Sequence, residues 1–422
     1  MINQKHNDSA GLLTEMKGAA REELTRNILP WWIKRMPDTE KGGFYGQIDG
    51  RGNIIHDAPK GGILNARILW SFSAAYLKLN DPVWLEMATR ARDYIFSHFF
   101  DERHGGTYWS LSADGRPLET KKQIYSQAFF IYALSTYHMA TGDRESLDRA
   151  IDLFRLIEQH SYDPERGGYF EAFTREWGEI ADLRLSAKDA NEKKTMNTHL
   201  HILEAYTSLL GIWHDPLLRK QLAGLVKAFT EKIVDAETSH LNLFFDEEWN
   251  RRSAIVSYGH DIEASWLLCE AADVLWESEK VDDADESGLP DLESIRGTAL
   301  RIASAAHEGL AEDGSLFYEK DDASGHSDRD RHWWVQSEAV VGFLNAWQLS
   351  GDAGWLEMAS DAFSYIRKNL VDQVNGEWFW SIRADGTVNL DDDKAGFWKC
   401  PYHNTRMCLE VLDRDKEEGS GQ

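Results

Sequence analysis

Two kinds of apolar segment alternate along this chain. In the first, apolar residues recur at spacings of three and four with charged residues opposite, as from Trp84 through Ala88, Ala91 and Ile95 to Phe99, or from Leu147 through Ala150 and Leu153 to Leu156. That period predicts amphipathic helices with one wet face. In the second, over 64–79, 124–140, 196–212, 262–276, 333–349 and 401–412, residues are apolar or small nearly all round, which predicts helices buried on both sides. Glycine-containing aromatic stretches separate the two kinds, among them Gly42-Gly43-Phe44-Tyr45, Gly105-Gly106-Thr107-Tyr108-Trp109, Gly167-Gly168-Tyr169-Phe170 and Gly376-Glu377-Trp378-Phe379-Trp380. They read as short β pieces at one mouth of the fold.

The repeat unit is therefore a wet helix, an aromatic turn and a dry helix, and six such units fit the chain. Six outer and six inner helices describe an all-α (α/α)6 barrel. An open solenoid would not return to its start after six units, whereas a closed toroid would, and closure is the expectation. The barrel is expected to span 1–413 as one domain, with a disordered tail over 414–422. Two segments break the period. The charged stretch 177–194 is an insertion of the kind that caps a site, and the acidic, aperiodic stretch 277–290 is expected to be a mobile surface loop without chemistry.

Composition narrows the partners. A net charge of −25 argues against nucleic acid and anionic membranes, because phosphate binding needs clustered Lys and Arg. No leader of basic residues and an apolar run opens the chain, and no apolar segment reaches the length of a membrane span. Cys269, Cys400 and Cys408 are odd in number and lack metal spacing, which fits burial in a reducing, cytoplasmic protein. Seventeen tryptophans exceed what a core of this size needs, and indoles also stack on the apolar faces of sugars.

The dry helices carry polar residues where a packed core should not. Ser257-Tyr258-Gly259-His260-Asp261-Ile262-Glu263 begins as a turn around Gly259 and enters an apolar helix, with His260 and Glu263 on one face. Such a pair at the first turn of a buried helix is costly unless it is paired or used. Asn197 and His201 share a face, whereas His199 points roughly opposite and is expected to be structural. Pro401 suits a first helical turn, which puts His403 at the entrance of the last dry helix, at the same end as His260. Trp333, Trp334 and Glu338 open another, Tyr125 opens the second, Arg67 lies on the first and Trp398 just precedes the last. A satisfied core group explains any one of these. The set, contributed by every repeat to one mouth, reads as a site.

Three chemistries fit those residue types. Glycoside hydrolysis could use Glu263 and Glu338 but leaves three histidines without a task. Proton abstraction beside a carbonyl uses the histidines as acid and base, with Arg67 holding the enediolate oxygens. Metal binding by His201, His260 and His403 is weakened because no chelating pair shares a face, and neither metal nor other cofactor is expected.

Three stretches carry a resemblance: Lys188-Asp189-Ala190-Asn191-Glu192-Lys193-Lys194-Thr195-Met196-Asn197-Thr198-His199-Leu200-His201, then Tyr258-Gly259-His260-Asp261-Ile262-Glu263-Ala264-Ser265-Trp266, then Trp398-Lys399-Cys400-Pro401-Tyr402-His403-Asn404. Together they resemble the acylglucosamine 2-epimerase family, from the first repeat to His403. The resemblance implies an (α/α)6 barrel and cofactor-free epimerisation at C2 of a reducing-end sugar, through ring opening and a cis-enediolate. It implies His260 and His403 as the acid/base pair, His201 as an aid near the ring oxygen or O1, and Glu263 as the residue that orients His260. Arg67 and Asn197 would bind the carbonyl and enediolate oxygens, and Trp398 with Trp333 or Trp334 would stack on the sugars. Asp189 would reach substrate from the capping loop, and Tyr125 and Glu338 complete the binding set. The acidic loop 277–290 is longer than the family suggests. The expected substrate is a β-1,4-linked disaccharide such as cellobiose or lactose, taken by a monomer rather than a dimer. A monosaccharide 2-epimerase or aldose–ketose isomerase is the alternative, with a hydrolase or lyase and a sugar-binding protein as rivals of other classes.

Overall fold

The computed structural model describes residues 2–282 and 291–414, with side chains at 9–278 and 291–414. The dry segments form helices α3 (Gly62–Leu79), α5 (Ile124–Thr141), α7 (Met196–Leu210), α9 (Tyr258–Asp282), α11 (Trp333–Ser350) and α13 (Tyr402–Asp413). The wet segments form α1 (Ile2–Glu22), which continues through a π turn into α2 (Leu29–Arg35), and α4 (Pro82–His98), α6 (Arg144–His160), α8 (Pro216–Ala228), α10 (Leu292–Ala306) and α12 (Ala353–Tyr365). Local chemistry sets the tight turns between them. α3, α5 and α11 end on left-handed residues, Asn80, Gly142 and Gly351. Aspartates 81, 215, 291 and 352 then cap the next helices by accepting backbone N–H groups.

The inner helices close a ring. α3 packs on α5, α5 on α7, α7 on α9, α9 on α11, α11 on α13, and α13 returns to α3. The molecule is thus an (α/α)6 barrel, with α4, α6, α8, α10, α12 and α1 packed outside. Short strands ring one mouth. Lys60–Gly61 pairs with Ser110–Leu111, Lys122–Gln123 with Ala172–Phe173, Lys194–Thr195 with Phe244–Phe245, Ile255–Ser257 with Glu319–Asp321, and Arg331–His332 with Ser381–Ile382. The first-named strand of each pair runs directly into an inner helix. A bridge from Ile48 to Ala395 joins the first repeat to the last.

Buried ion pairs pin these helix entrances. Lys60 binds Asp38 at 2.9 Å, Lys122 binds Asp101 at 3.1 Å, Lys194 binds Asp163 at 2.7 Å, and Lys394 pairs with Asp372. Each aspartate opens a turn whose next glycines, such as Gly42 and Gly43, take positive φ. Removing one partner would strand a buried charge, so these pairs specify geometry. In a further repeat the roles change: His240 Nδ1 lies 2.7 Å from Asp261 and the Leu241 N–H donates to the same carboxylate.

Two local expectations change. α9 starts at Tyr258, so Gly259 is helical rather than the centre of a turn. Glycine is needed there because a Cβ would lie 2.6 Å from Trp334 and 2.7 Å from Val335. α9 also runs to Asp282, beyond the expected start of the acidic loop at 277. The rest of that loop, and the tail after 414, lie outside the described residues. Among the described residues no helix is long and apolar enough to cross a membrane.

Candidate active site

Short strands run directly into the first turns of α3, α5, α7, α9 and α11 at this mouth, and α13 enters the ring from the irregular stretch 397–401. Half-buried Trp334 is the hub. Its ring centroid lies 4.8 Å from that of His260 and 5.7 Å from that of His403. On the other wall, Tyr125 lies 4.9 Å from His201 and 6.0 Å from Trp398, and its hydroxyl accepts a 2.9 Å hydrogen bond from Arg67.

Beneath the mouth a buried network ties the side chains together. Arg406 Nη2 donates to Glu263 Oε1 at 2.5 Å and Glu338 Oε1 at 2.6 Å, and Nη1 donates to Glu204 and to the Tyr402 hydroxyl. Glu338 in turn holds His403 Nδ1 at 2.7 Å and accepts Trp266 Nε1 at 3.0 Å. Glu204 holds His201 Nδ1 at 2.9 Å. His201 and His403 are therefore joined through one guanidinium. His260 stands apart, with Nδ1 2.8 Å from the Ser257 hydroxyl.

The electrostatics follow from burial. Burial pushes His260 down to about 3, with help from His201 and against Glu338. It also lowers His201 and lowers His403 well below the usual imidazole range, where Arg67 and Arg406 add to the effect. Burial and the neighbouring Glu338 together raise Glu263 to about 8, against the pull of Arg406. Glu204 is also pushed up by burial, but Arg406 and His201 outweigh that and hold it at about 2. The free site thus keeps neutral imidazoles above an acidic floor that one arginine bridges.

Several predicted residues meet here in unexpected ways. Glu263 does not hold His260; its carboxylate accepts from Arg406, which reaches across from α13 to carboxylates on α7, α9 and α11, while Ser257, just before α9, takes His260 Nδ1. Among the described residues Arg67 meets no carboxylate. Its guanidinium lies 4.1 Å from the Phe129 centroid and 4.7 Å from that of Tyr402, and Nη1 reaches Cys400 Sγ at 3.6 Å. Arg67 Nε and Asn197 Oδ1 are buried without a partner among the described residues, which is costly unless a ligand supplies one. Trp333 is 3 % exposed and packs on Trp380 at 4.6 Å, whereas Trp334 and Trp398 are half-buried. Asp189 accepts the Ser186 N–H at 2.8 Å, and its charge adds to the burial that raises Tyr318 and Glu319 at the rim. The insertion that carries it is tied down where the Leu183 and Arg184 carbonyls accept Gln123 Nε2 and Lys121 Nζ, each at 3.0 Å.

His199 is structural: Nδ1 lies 2.6 Å from the Thr195 carbonyl and Nε2 accepts the Tyr169 N–H at 2.9 Å. Much of the tryptophan excess is structural as well. Trp32, Trp177, Trp249 and Trp378 donate to Glu377, the His104 carbonyl, the Arg166 carbonyl and Glu23.

Ser257, Glu204, Arg406 and Tyr402 are site residues that the sequence reading passed over. Glu204 is three residues beyond His201 and Arg406 three beyond His403, the spacing already noted for His260 and Glu263. The same test applied to every histidine finds both. A cation has little room here: Glu263, Glu338 and His403 offer atoms within 4.8 Å of one another, but Arg406 already fills the space between the two carboxylates.

Comparison with known proteins agrees with this fold. Residues 43–406 match the family model described as N-acylglucosamine 2-epimerase (GlcNAc 2-epimerase). The chain is 55 % identical to a cellobiose 2-epimerase of Bacteroides fragilis, over 94 % of this chain and 98 % of that protein. It is 40 % identical to a cellobiose 2-epimerase of Ruminococcus albus, over 93 % and 97 %. The solved cellobiose 2-epimerase of Bacillus thermoamylovorans superposes with a TM-score of 0.88 at 39 % identity, covering 95 % of this chain and all of that one.

Proposed function

This chain belongs to the N-acylglucosamine 2-epimerase family, and from that premise we propose that it epimerises C2 of the reducing-end glucose of β-1,4-linked disaccharides. Cellobiose would give its mannose-ended epimer, and lactose would give epilactose. The observation that carries the reading is the placement of two histidines, His260 and His403, against one indole at a mouth lined by half-buried aromatic rings.

The chemistry follows from hydrogen-bond roles. Two donors, Arg406 and Trp266, already point at Glu338, which makes it an acceptor. His403 therefore carries its proton on Nδ1 and offers the Nε2 lone pair to the sugar. Once the pyranose has opened, the C2–H bond breaks, its electron pair enters the cis-enediolate, and Nε2 of one histidine takes the proton. The other histidine, neutral in the free site, takes up a proton from solvent on Nε2 as substrate binds, returns it to the opposite face of C2 and is left neutral, while the first histidine is left protonated. Arg67 and Asn197, each with an unpartnered buried atom, hold the developing oxyanion and the O2 hydroxyl. His201, braced by Glu204, serves the oxygen that moves when the ring opens. Trp334 and Trp398 offer faces for the two sugars.

Incubation with cellobiose in D2O containing EDTA, followed by proton NMR, tests this. A mannose-ended disaccharide with deuterium at C2 is expected. Conversion of mannose alone would shift the assignment to a monosaccharide enzyme, and free glucose would replace it with hydrolysis.

A further inference from the structure

The two histidines are held by partners of different chemistry. His403 Nδ1 faces a carboxylate, whereas His260 Nδ1 faces the hydroxyl of Ser257 at 2.8 Å. Ser257 ends the strand Ile255–Ser257, in register with Glu319, and is only 2 % exposed. Its hydroxyl is placed by backbone pairing and shielded from water, so it is a fixed partner for the imidazole. Charged groups reach His260 from other helices, His201 on α7 and Glu338 on α11, but neither is hydrogen-bonded to it.

We propose that Ser257 is the positioning residue of His260: its oxygen accepts the Nδ1–H, turns Nε2 toward C2 of the sugar, and does so without adding a charge. The inference rests on the epimerase reading above. An uncharged acceptor holds the ring in both its neutral and its imidazolium form. Glu338, by contrast, favours the cation of His403. The pair is therefore unequal by construction, and loss of the Ser257 hydroxyl impairs one face of C2 and spares the other.

The test uses the full chain and its Ser257→Ala and Ser257→Thr variants. Each is incubated in D2O with cellobiose, and separately with the mannose-ended epimer. NMR then reads deuterium at C2 in the recovered starting sugar and in the product. For Ser257→Ala, kcat should fall about 10- to 100-fold while KM stays within about twofold. From one epimer only, the starting sugar should gain deuterium faster than product forms, because the enediolate returns through the intact His403. Ser257→Thr should restore most of the turnover. The proposal is overturned if Ser257→Ala turns over like the parent, or slows both directions with no change in how the enediolate partitions. It is also overturned if only KM moves, or if Thr gives no rescue although its melting matches the parent. Absence of C2 deuterium with the parent protein would instead overturn the epimerase reading itself.

Discussion

His403 Nδ1 lies 2.7 Å from Glu338 Oε1, across 65 positions of sequence, and the same oxygen accepts from Arg406. One carboxylate thus orients a histidine at the mouth and anchors the arginine beneath it. Glu338→Gln keeps the volume and loses the charge. Turnover of cellobiose should fall by about 10²-fold or more with little change in KM, measured as initial rates across substrate concentration.

Arg406 bridges Glu204, Glu263 and Glu338, all fully buried. Arg406→Met would leave those carboxylates without a counter-charge. Urea unfolding should show a loss of about 3–5 kcal/mol, with Arg406→Lys intermediate, because an ammonium cannot span both sides.

His260 and His403 should each be needed for inversion. His260→Asn and His403→Asn are expected to lower epimerisation by about 10³-fold. Each variant should keep C2 hydrogen exchange from one epimer only, and the two should keep opposite ones. Exchange from both epimers in both variants would argue for a single base.

The adjacent tryptophans separate binding from stability. Trp334 is half-buried beside both histidines, while Trp333 is buried and packed on Trp380. Trp334→Ala should raise KM for disaccharides and leave the melting point nearly unchanged. Trp333→Ala should cost about 3–5 kcal/mol of stability. Paired kinetic and thermal measurements distinguish the two.

Acid should destabilise the fold through its buried imidazoles. Burial holds His199 at about 4, below its ordinary 6.5. Its contribution to stability is present above pH 6.5 and is lost as pH falls through about 4, worth about 2 kcal/mol between pH 7 and pH 5. His260, at about 3, acts with the same sign. His199→Gln should show a smaller drop in unfolding free energy from pH 7 to pH 5 than the parent.

The sequence made the architecture legible because a helix relates residues within four positions by fixed geometry. Apolar period separated α3, α5, α7, α9, α11 and α13 from the outer layer, and the same geometry set His201 apart from His199 on α7. It placed His260 and His403 at one end because each opens its helix. Where a local residue had two possible reasons, the pattern chose wrongly: Gly259 looked like a turn and is a close-packing site against Trp334.

What the sequence alone determined is the alternation of helices with their wet and dry faces, and that His260 and His403 open their helices at one end. Tertiary structure alone decided who holds whom. Glu263 turns to Arg406 rather than to His260, Ser257 takes that place, and Glu204 meets an arginine 202 positions away. The reason is physical: periodicity constrains neighbours along one helix, whereas partners across the barrel axis are chosen only when the ring closes and α13 packs between α11 and α3.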